Sequence, residues 1–452
     1  MREARLFKTV SGIASSPRTI FLVALAARLW VLSQLLPVHA WRDFYQYSEP
    51  ARIAWAVASG YGYSSPYPHT PLAPTAQQPP VYPLLIAGIF KLAGAYTYWS
   101  LLIAVGLNAV LSAFTAVLIL KIGRKTFGAS VGVLAAWVWS CWLYEAVVAI
   151  RLWESSLSAL LLAIGLWLLP ELAGSLRVWR WLGFGALVGV AALCNTTLLS
   201  VFPFFWLWLW LSYHRRGRSY TRWLLASIAV CILLLLPWTI RNYAAFHRLL
   251  PIRDNLGLEL WIGFELGEGN HSAIIQDHLF PRDFPLADPR EYNRLGEIGF
   301  MEAKRQMSLD LIRQDPGRFV HLCGWRCLRF WSRPEETAWP WVSLLAWLGL
   351  ALAIRRKGLA AMPYAIVLTM FPLVYYVTHT FPTYRHPIEP VIILLAAYTL
   401  VSGGETFARK FKISGLLRDF ANHPPEPQQK HQRQQASHVP MKKQDHMQWS
   451  QE

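Results

Sequence analysis

Ionisable residues are scarce in this chain, and those that could do chemistry fall into a few short phrases. The first is WRDFYQYSEPARIAWAVASGYGY, which carries Asp43 and Glu49. Glu49-Pro50 marks a helix start, with proline at the first helical position and a carboxylate at the positive end of the helix dipole. The helix should run to about Ser59 and stop at Gly60. Ile53, Trp55 and Val57 with flanking alanines make it apolar enough to lie on a bilayer surface. A carboxylate placed there, Glu49 or Asp43, can orient or deprotonate a hydroxyl. The plainer reading is a helix cap with a solvated acid.

The other phrases carry cations. FPTYRHPIEP sets Arg385 and His386 between Pro382 and Pro387, with Glu389 just beyond. An arginine there can grip phosphate oxygens with two parallel hydrogen bonds, and Glu389 could hold it in place or merely neutralise it. Arg241 lies in LPWTIRNY between Trp238 and Tyr243, where it can reach a lipid phosphate or simply snorkel from an aromatic belt. Arg151 and Glu154 could be an interfacial charge pair or line a site. Arg253, Asp254 and Glu259 follow Arg241 in a loop and receive no role, nor do His271, Asp277 and His278. The five cysteines make no disulfide framework. Cys323 and Cys327 sit one helical turn apart, and no His or Cys cluster nearby completes a zinc site. No Walker A loop, GxGxxG, HExxH or GxSxG phrase is present.

The elements that must position these residues cross a membrane. Of 452 residues, 54% are hydrophobic and only 15% charged, with 23 Trp. Mean hydropathy is +0.29. This excludes a disordered chain, a coiled coil and an ordinary soluble enzyme. Crossing a bilayer takes about 20 apolar residues. About ten stretches qualify, near 19–36, 97–120, 127–149, 153–170, 180–195, 197–212, 222–238, 340–354, 359–378 and 387–402. Residues 80–93 are too short and read as an interfacial or re-entrant helix. The spans read as free of charge near their middles, which argues against an ion-coupled carrier.

The net charge of +17 sits in clusters between the spans. Arg2, Arg5, Lys8 and Arg18 precede the first. Others surround Arg124, Arg177, Arg216, Arg355 and Lys410. Threaded in order, all fall on one side, which the positive-inside rule makes cytoplasmic. The expectation is an all-α polytopic domain over 1–402 of the inner, or plasma, membrane, with both termini cytoplasmic. A first outer loop spans 37–96 and a long one 239–339. The first span reads as a retained signal anchor. The tail over 403–452, rich in Gln, His and Pro after about residue 420, reads as disordered.

Taken together and in order, several phrases resemble the bacterial family 39 type of membrane glycosyltransferase, within the GT-C superfamily that includes protein O-mannosyltransferases and aminoarabinose transferases. They are the stretch from Glu49-Pro50 to Gly60-Tyr61-Gly62-Tyr63, PTAQQPPVYPLLIAGIFKLAGAYT, WESSLSALLL, LPWTIRNY, RDNLGLEL and TYRHPIEP. The resemblance implies a GT-C-like helical bundle. It also implies transfer of a sugar from a polyprenyl-phosphate carrier to an acceptor (lipid, protein or polysaccharide) at the outer membrane face, with no nucleic acid involved. An acid of the first outer loop would be the base. Glu49 fits the helix start and Asp43 is the residue type commoner in relatives, and this chain lacks their adjacent acidic pair. Arg385, with Arg241, would stabilise the departing lipid phosphate. His386, Glu389, Arg151, Glu154 and Tyr82 complete the substrate-binding candidates. Some superfamily members use a divalent cation, for which Glu154 could be a second ligand, and others use none, so no metal site is assigned. The alternative is a non-enzymatic flippase or transporter of lipid-linked saccharides.

Overall fold

A computed structural model describes residues 12–38, 41–46, 48–64, 71–175, 177–214, 220–267, 289–332 and 339–422. His271, Asp277, His278 and the tail beyond Asn422 lie outside the described residues. The described part is all-α, with one isolated antiparallel bridge between Ser64 and Pro74. Contacts divide the chain after Val401. The last helix, Glu389–Asn422, shows that helix rather than irregular chain occupies the beginning of the 403–452 tail.

The first helix is α1 (Pro17–Val38). Three short helices follow: α2 (Asp43–Gln46), α3 (Glu49–Ala58) and α4 (Val81–Ala93). A bundle comes next, of α5 (Tyr98–Thr126), α6 (Ala129–Cys141), α7 (Leu143–Ala149), α8 (Ser155–Leu172), α9 (Val178–Cys194), α10 (Phe202–His214) and α11 (Thr221–Phe246). The long loop folds as α12 (Leu256–Leu266), α13 (Pro289–Gln314) and α14 (Pro316–Ser332). The chain returns through α15 (Trp339–Lys357), α16 (Met362–Met370) and α17 (Leu373–Val377), a 3-10 turn over Pro382–Ile388, and α18 (Glu389–Asn422).

Among the described residues seven stretches are long and apolar enough to cross a bilayer, or eight if the bent pair α6 and α7 counts as one. The expected ten is not reached, for reasons of length. α9 has 17 residues, which at 1.5 Å per residue is shorter than a ~30 Å hydrocarbon core. Pro340–Val377 counts once, although its 38 residues carry Arg355, Arg356 and Lys357 near the middle and are long enough for two crossings. The burial pattern is that of a protein dissolved in lipid. Only 11% of the most apolar window of α11 is buried, and Ile232 and Leu233 face outward. Lipid tails are as apolar as leucine, so close packing rather than hydrophobic burial joins such helices. Glycine makes that packing possible between α9 and α11, where a Cβ on Gly185 would lie 2.1 Å from the Ser227 carbonyl oxygen.

The spans are not free of charge, contrary to the expectation. Arg28, in the middle of α1, is completely buried. The bend of 66° between α6 and α7 explains it. Trp142 takes an extended conformation there, which ends the helical ladder and strands the preceding carbonyls where no water can reach them. Arg28 supplies the missing donors: Nη2 to Trp139 O and Nη1 to Ser140 O, both 2.9 Å, while Nε donates to Ser112 Oγ at 2.9 Å. Glu145, buried in α7, feels the Arg28 charge. Replacing Arg28 by Met keeps the stem and removes every donor. We expect a loss of about 3 kcal/mol or more, read as a lowered thermal unfolding midpoint in detergent. An unchanged midpoint would contradict this account of the bend.

Candidate active site

α3 begins as the sequence indicates. Ser48 is its cap: Oγ accepts from Ala51 N at 3.3 Å, and Pro50 lies in the first turn. The helix ends at Ala58, with Gly60 at φ +87°. The cap also does something no local pattern announces. Ser48 Oγ donates to Leu152 O at 3.1 Å, tying the start of α3 to the corner between α7 and α8. That corner is itself held by Ser156 Oγ on Ala149 O at 2.9 Å and by Asn108 Nδ2 on Arg151 O at 2.5 Å. Glu154, 105 positions further on, thereby comes within the field of Glu49.

Burial sets the acidity of both. It pushes the Glu49 carboxyl up to about 7; a hydrogen bond donated by the Gln78 amide and the charge of Arg253 act the other way, and Glu259 adds to the rise. Burial likewise pushes Glu154 up to about 7, with Arg253 opposing and Glu49 contributing. Arg253 Nη2 lies 3.3 Å from Glu259 Oε1, which also accepts from Asn255 Nδ2. Both side chains of that pair keep part of their surface, 22% for Arg253 and 25% for Glu259, so a ligand can reach them. On the far side of Glu259, His379 Nδ1 lies 3.4 Å from Oε2, and His379 Nε2 lies 3.2 Å from the Tyr384 hydroxyl. Tyr384 in turn lies within the fields of Glu49, Glu259 and Arg253. Five segments far apart in sequence meet here, through Glu49, Gln78, Glu154, Arg253 with Glu259, and His379 with Tyr384.

The remaining candidates are placed differently. Arg385 and Glu389 pair at 2.6 Å with almost no exposure. Arg385 Nη1 donates to Phe330 O at 2.8 Å, and the guanidinium lies over the Trp331 ring. His386 Nδ1 lies 2.6 Å from Glu145 Oε2, and its ring packs against Trp139. A buried, paired guanidinium is not poised for a lipid phosphate. The contacts of Arg385, His386 and Glu389 in this structure hold the 382–388 turn on α14 and α7, and it is Tyr384 of that turn that lies within the field of Glu49. Arg241 is similarly engaged: it donates to Thr75 O and to Tyr63 O, both at 2.7 Å, between the rings of Trp238 and Tyr63. Tyr82 is buried and accepts from Asn108 Nδ2 at 2.8 Å, within the field of Glu154. Arg151 lies near the Tyr144 and Tyr384 hydroxyls. Asp43 opens α2, and its side chain is outside the described ones. Arg253, Glu259 and His379 are the residues that sequence reasoning left without a role. The signal was there in part: RDNLGLEL spends three polar side chains, Arg253, Asn255 and Glu259, around one helix start.

Among the described residues no three His, Cys, Asp or Glu side chains gather in a way that would hold a metal ion, so Glu154 is given no ligand role.

Residues 77–240, about a third of the chain, match the family described as dolichyl-phosphate-mannose-protein mannosyltransferase. The crystal structure of the Archaeoglobus fulgidus oligosaccharyltransferase in complex with Zn and sulfate superposes on 89% of this chain and 51% of that one, with a TM-score of 0.52 and 14% identity. This is a GT-C fold. The archaeal oligosaccharyltransferase AglB from Archaeoglobus fulgidus, in complex with an inhibitory peptide and a dolichol-phosphate, aligns over 88% of this chain and 52% of that one, at a TM-score of 0.52 and 13% identity. The chain therefore spans about half the length of these proteins, and what it shares with them is the GT-C fold. No curated protein matches its sequence.

The field of Glu49 at Glu154 yields a prediction. Removing one negative charge makes it easier to ionise the other. Glu49→Gln should therefore lower the pH at which Glu154 gives up its proton, to below about 7. The carboxylic C=O stretch in infrared titration reads this directly. An unmoved or raised midpoint would show that the two acids do not share one site.

Proposed function

We propose that the protein is a membrane glycosyltransferase that moves a sugar from a polyprenyl-phosphate-linked donor to an acceptor hydroxyl, with Glu49 as base. The observation that carries this reading is a carboxylate with acidity near neutral, beside a reachable arginine, in a GT-C fold. A general base works best when its acidity matches the working pH. Glu49 takes the proton of the acceptor hydroxyl as that oxygen bonds to the anomeric carbon. The bond from that carbon to the phosphate oxygen breaks, and the phosphate departs with the electron pair. Arg253, whose charge acts on the base, stabilises the charge that develops. Tyr384 and His379 border the same space. Arg385, Glu389 and His386 serve the site by holding the Tyr384 turn, and Arg241 by holding Tyr63 and Thr75. Asp43 remains the second candidate for the base.

We infer an outer-face site in the inner membrane, with cytoplasmic termini, from the basic clusters between the spans, which the positive-inside rule would assign to the cytoplasmic side. The family matched by residues 77–240 supports a lipid-phosphate donor.

The test uses purified protein in vesicles with a polyprenyl-phosphate sugar, reading release of the lipid phosphate. Glu49→Gln should lower kcat by about 10²–10⁴-fold, while binding of polyprenyl phosphate persists. Arg253→Ala should lower kcat and weaken that binding together. Asp43→Asn should stay within a few-fold of wild type. If Glu49→Gln keeps its turnover, the base is misassigned; if lipid-linked sugar crosses the vesicle without transfer, the protein is a flippase.

The pH dependence has a definite sign. The base must be ionised, so kcat/KM should rise as pH climbs through about 7 and level off above it. A rate that falls over this range contradicts the assignment.

A further inference from the structure

The proposed base does not hold its own orientation. Among the described residues, the side chain that donates to it is Gln78, so whatever fixes residues 75–78 fixes the base. Thr75, Ala76, Gln77 and Gln78 are all buried, and this extended strap belongs to no helix. Its backbone is gripped from several sides. Thr75 N donates to Tyr63 O at 3.1 Å, and Arg241 of α11 donates to Thr75 O at 2.7 Å. Asp254 N donates to Ala76 O at 3.1 Å.

The tightest grip comes from the long outer loop. Ala76 N donates to Glu297 Oε1 at 2.5 Å, and the Tyr292 hydroxyl donates to Glu297 Oε2 at 3.0 Å. Glu297 is 6% exposed. It reaches the strap because Gly296 breaks α13 just before it, at φ 67° and ψ 172°, a conformation essentially confined to glycine. A neutral side chain could cap one amide; a carboxylate makes a stronger, charge-assisted bond at a cost in burial.

We propose that Glu297 is a positioning residue for the base: it locks the Thr75–Gln78 strap so that the Gln78 amide stays against the Glu49 carboxylate. The inference deepens the glycosyltransferase reading and rests on Glu49 being the base. The groups facing Glu297 are Thr75 and Ala76 of the strap, Tyr292 of its own helix, and Asp254, with Arg241 and Tyr63 sensing its charge.

The Gln78 hydrogen bond favours the ionised form of Glu49, so releasing the strap should make Glu49 hold its proton to higher pH. A carbodiimide attacks protonated buried carboxyls, and mass spectrometry of the Glu49 peptide reads the pH of half-labelling without any sugar substrate. Wild type should be half-labelled near pH 7. Glu297→Ala and Gln78→Leu should each move that point upward, and the double variant no further than the larger single shift. Glu297→Gln, which can still accept from Ala76 N, should shift less. If Glu297→Ala does not accumulate, Gly296→Ala, which re-aims Glu297 and leaves it in the chain, should give the upward shift.

Half-labelling at the wild-type pH in folded Glu297 or Gly296 variants overturns the proposal, as do shifts that add in the double variant. The two readings fail separately. If Glu49→Gln is dead and the labelling pH never moves, only the positioning role is lost. If Glu49→Gln turns over normally, the base assignment is lost whatever the labelling shows.

Discussion

A charge taken out of water must find a partner or give up its charge, and this protein uses both answers in different layers. Within the membrane-spanning part every buried ion described is engaged. Arg28 caps the carbonyls of a broken helix, Glu145 meets His386, and Arg385 meets Glu389. Such pairs are costly to bury and costlier to break, and they fix one arrangement of helices. At the edge of the bundle the answer changes. Glu49, Glu154 and Glu297 are incompletely compensated, and burial leaves all three with acidities near neutral. Those are the acids that can exchange a proton at working pH.

The two layers are connected. The buried pairs His386–Glu145 and Arg385–Glu389 pin the 382–388 turn, and Tyr384 of that turn lies within the field of the proposed base. The same α7 that carries Glu145 leads into the corner where Ser48 bonds the Leu152 carbonyl, two residues before Glu154. From the opposite direction, Arg241 and Glu297 hold the strap that carries Gln78. Rigid surroundings of this kind allow a catalytic group to be held in a reactive geometry before the substrate arrives.

Much of this was legible in the sequence wherever the determinant is local. Ser48, Glu49 and Pro50 spell a helix start and Gly60 its stop, because capping and positive φ depend on neighbours only. The short helix over 81–93 was legible from length against bilayer thickness. Span counting was less secure: a break such as Trp142 depends on what Arg28, over a hundred positions away, can offer the stranded carbonyls. For the same reason Arg28 itself could be overlooked inside an apolar run.

By itself the sequence determined that the chain is an all-α membrane protein with a capped acidic helix in its first loop, since apolar run length and helix caps are properties of contiguous residues. Only the tertiary structure decided which charges are sealed in pairs and which keep an accessible face. Arg385 and Arg253 are both arginines beside a glutamate four to six positions on. One is sealed between Glu389 and backbone carbonyls, the other keeps an accessible face beside Glu49 and Glu154. That difference is one of burial and long-range neighbours, which spacing along the chain does not encode.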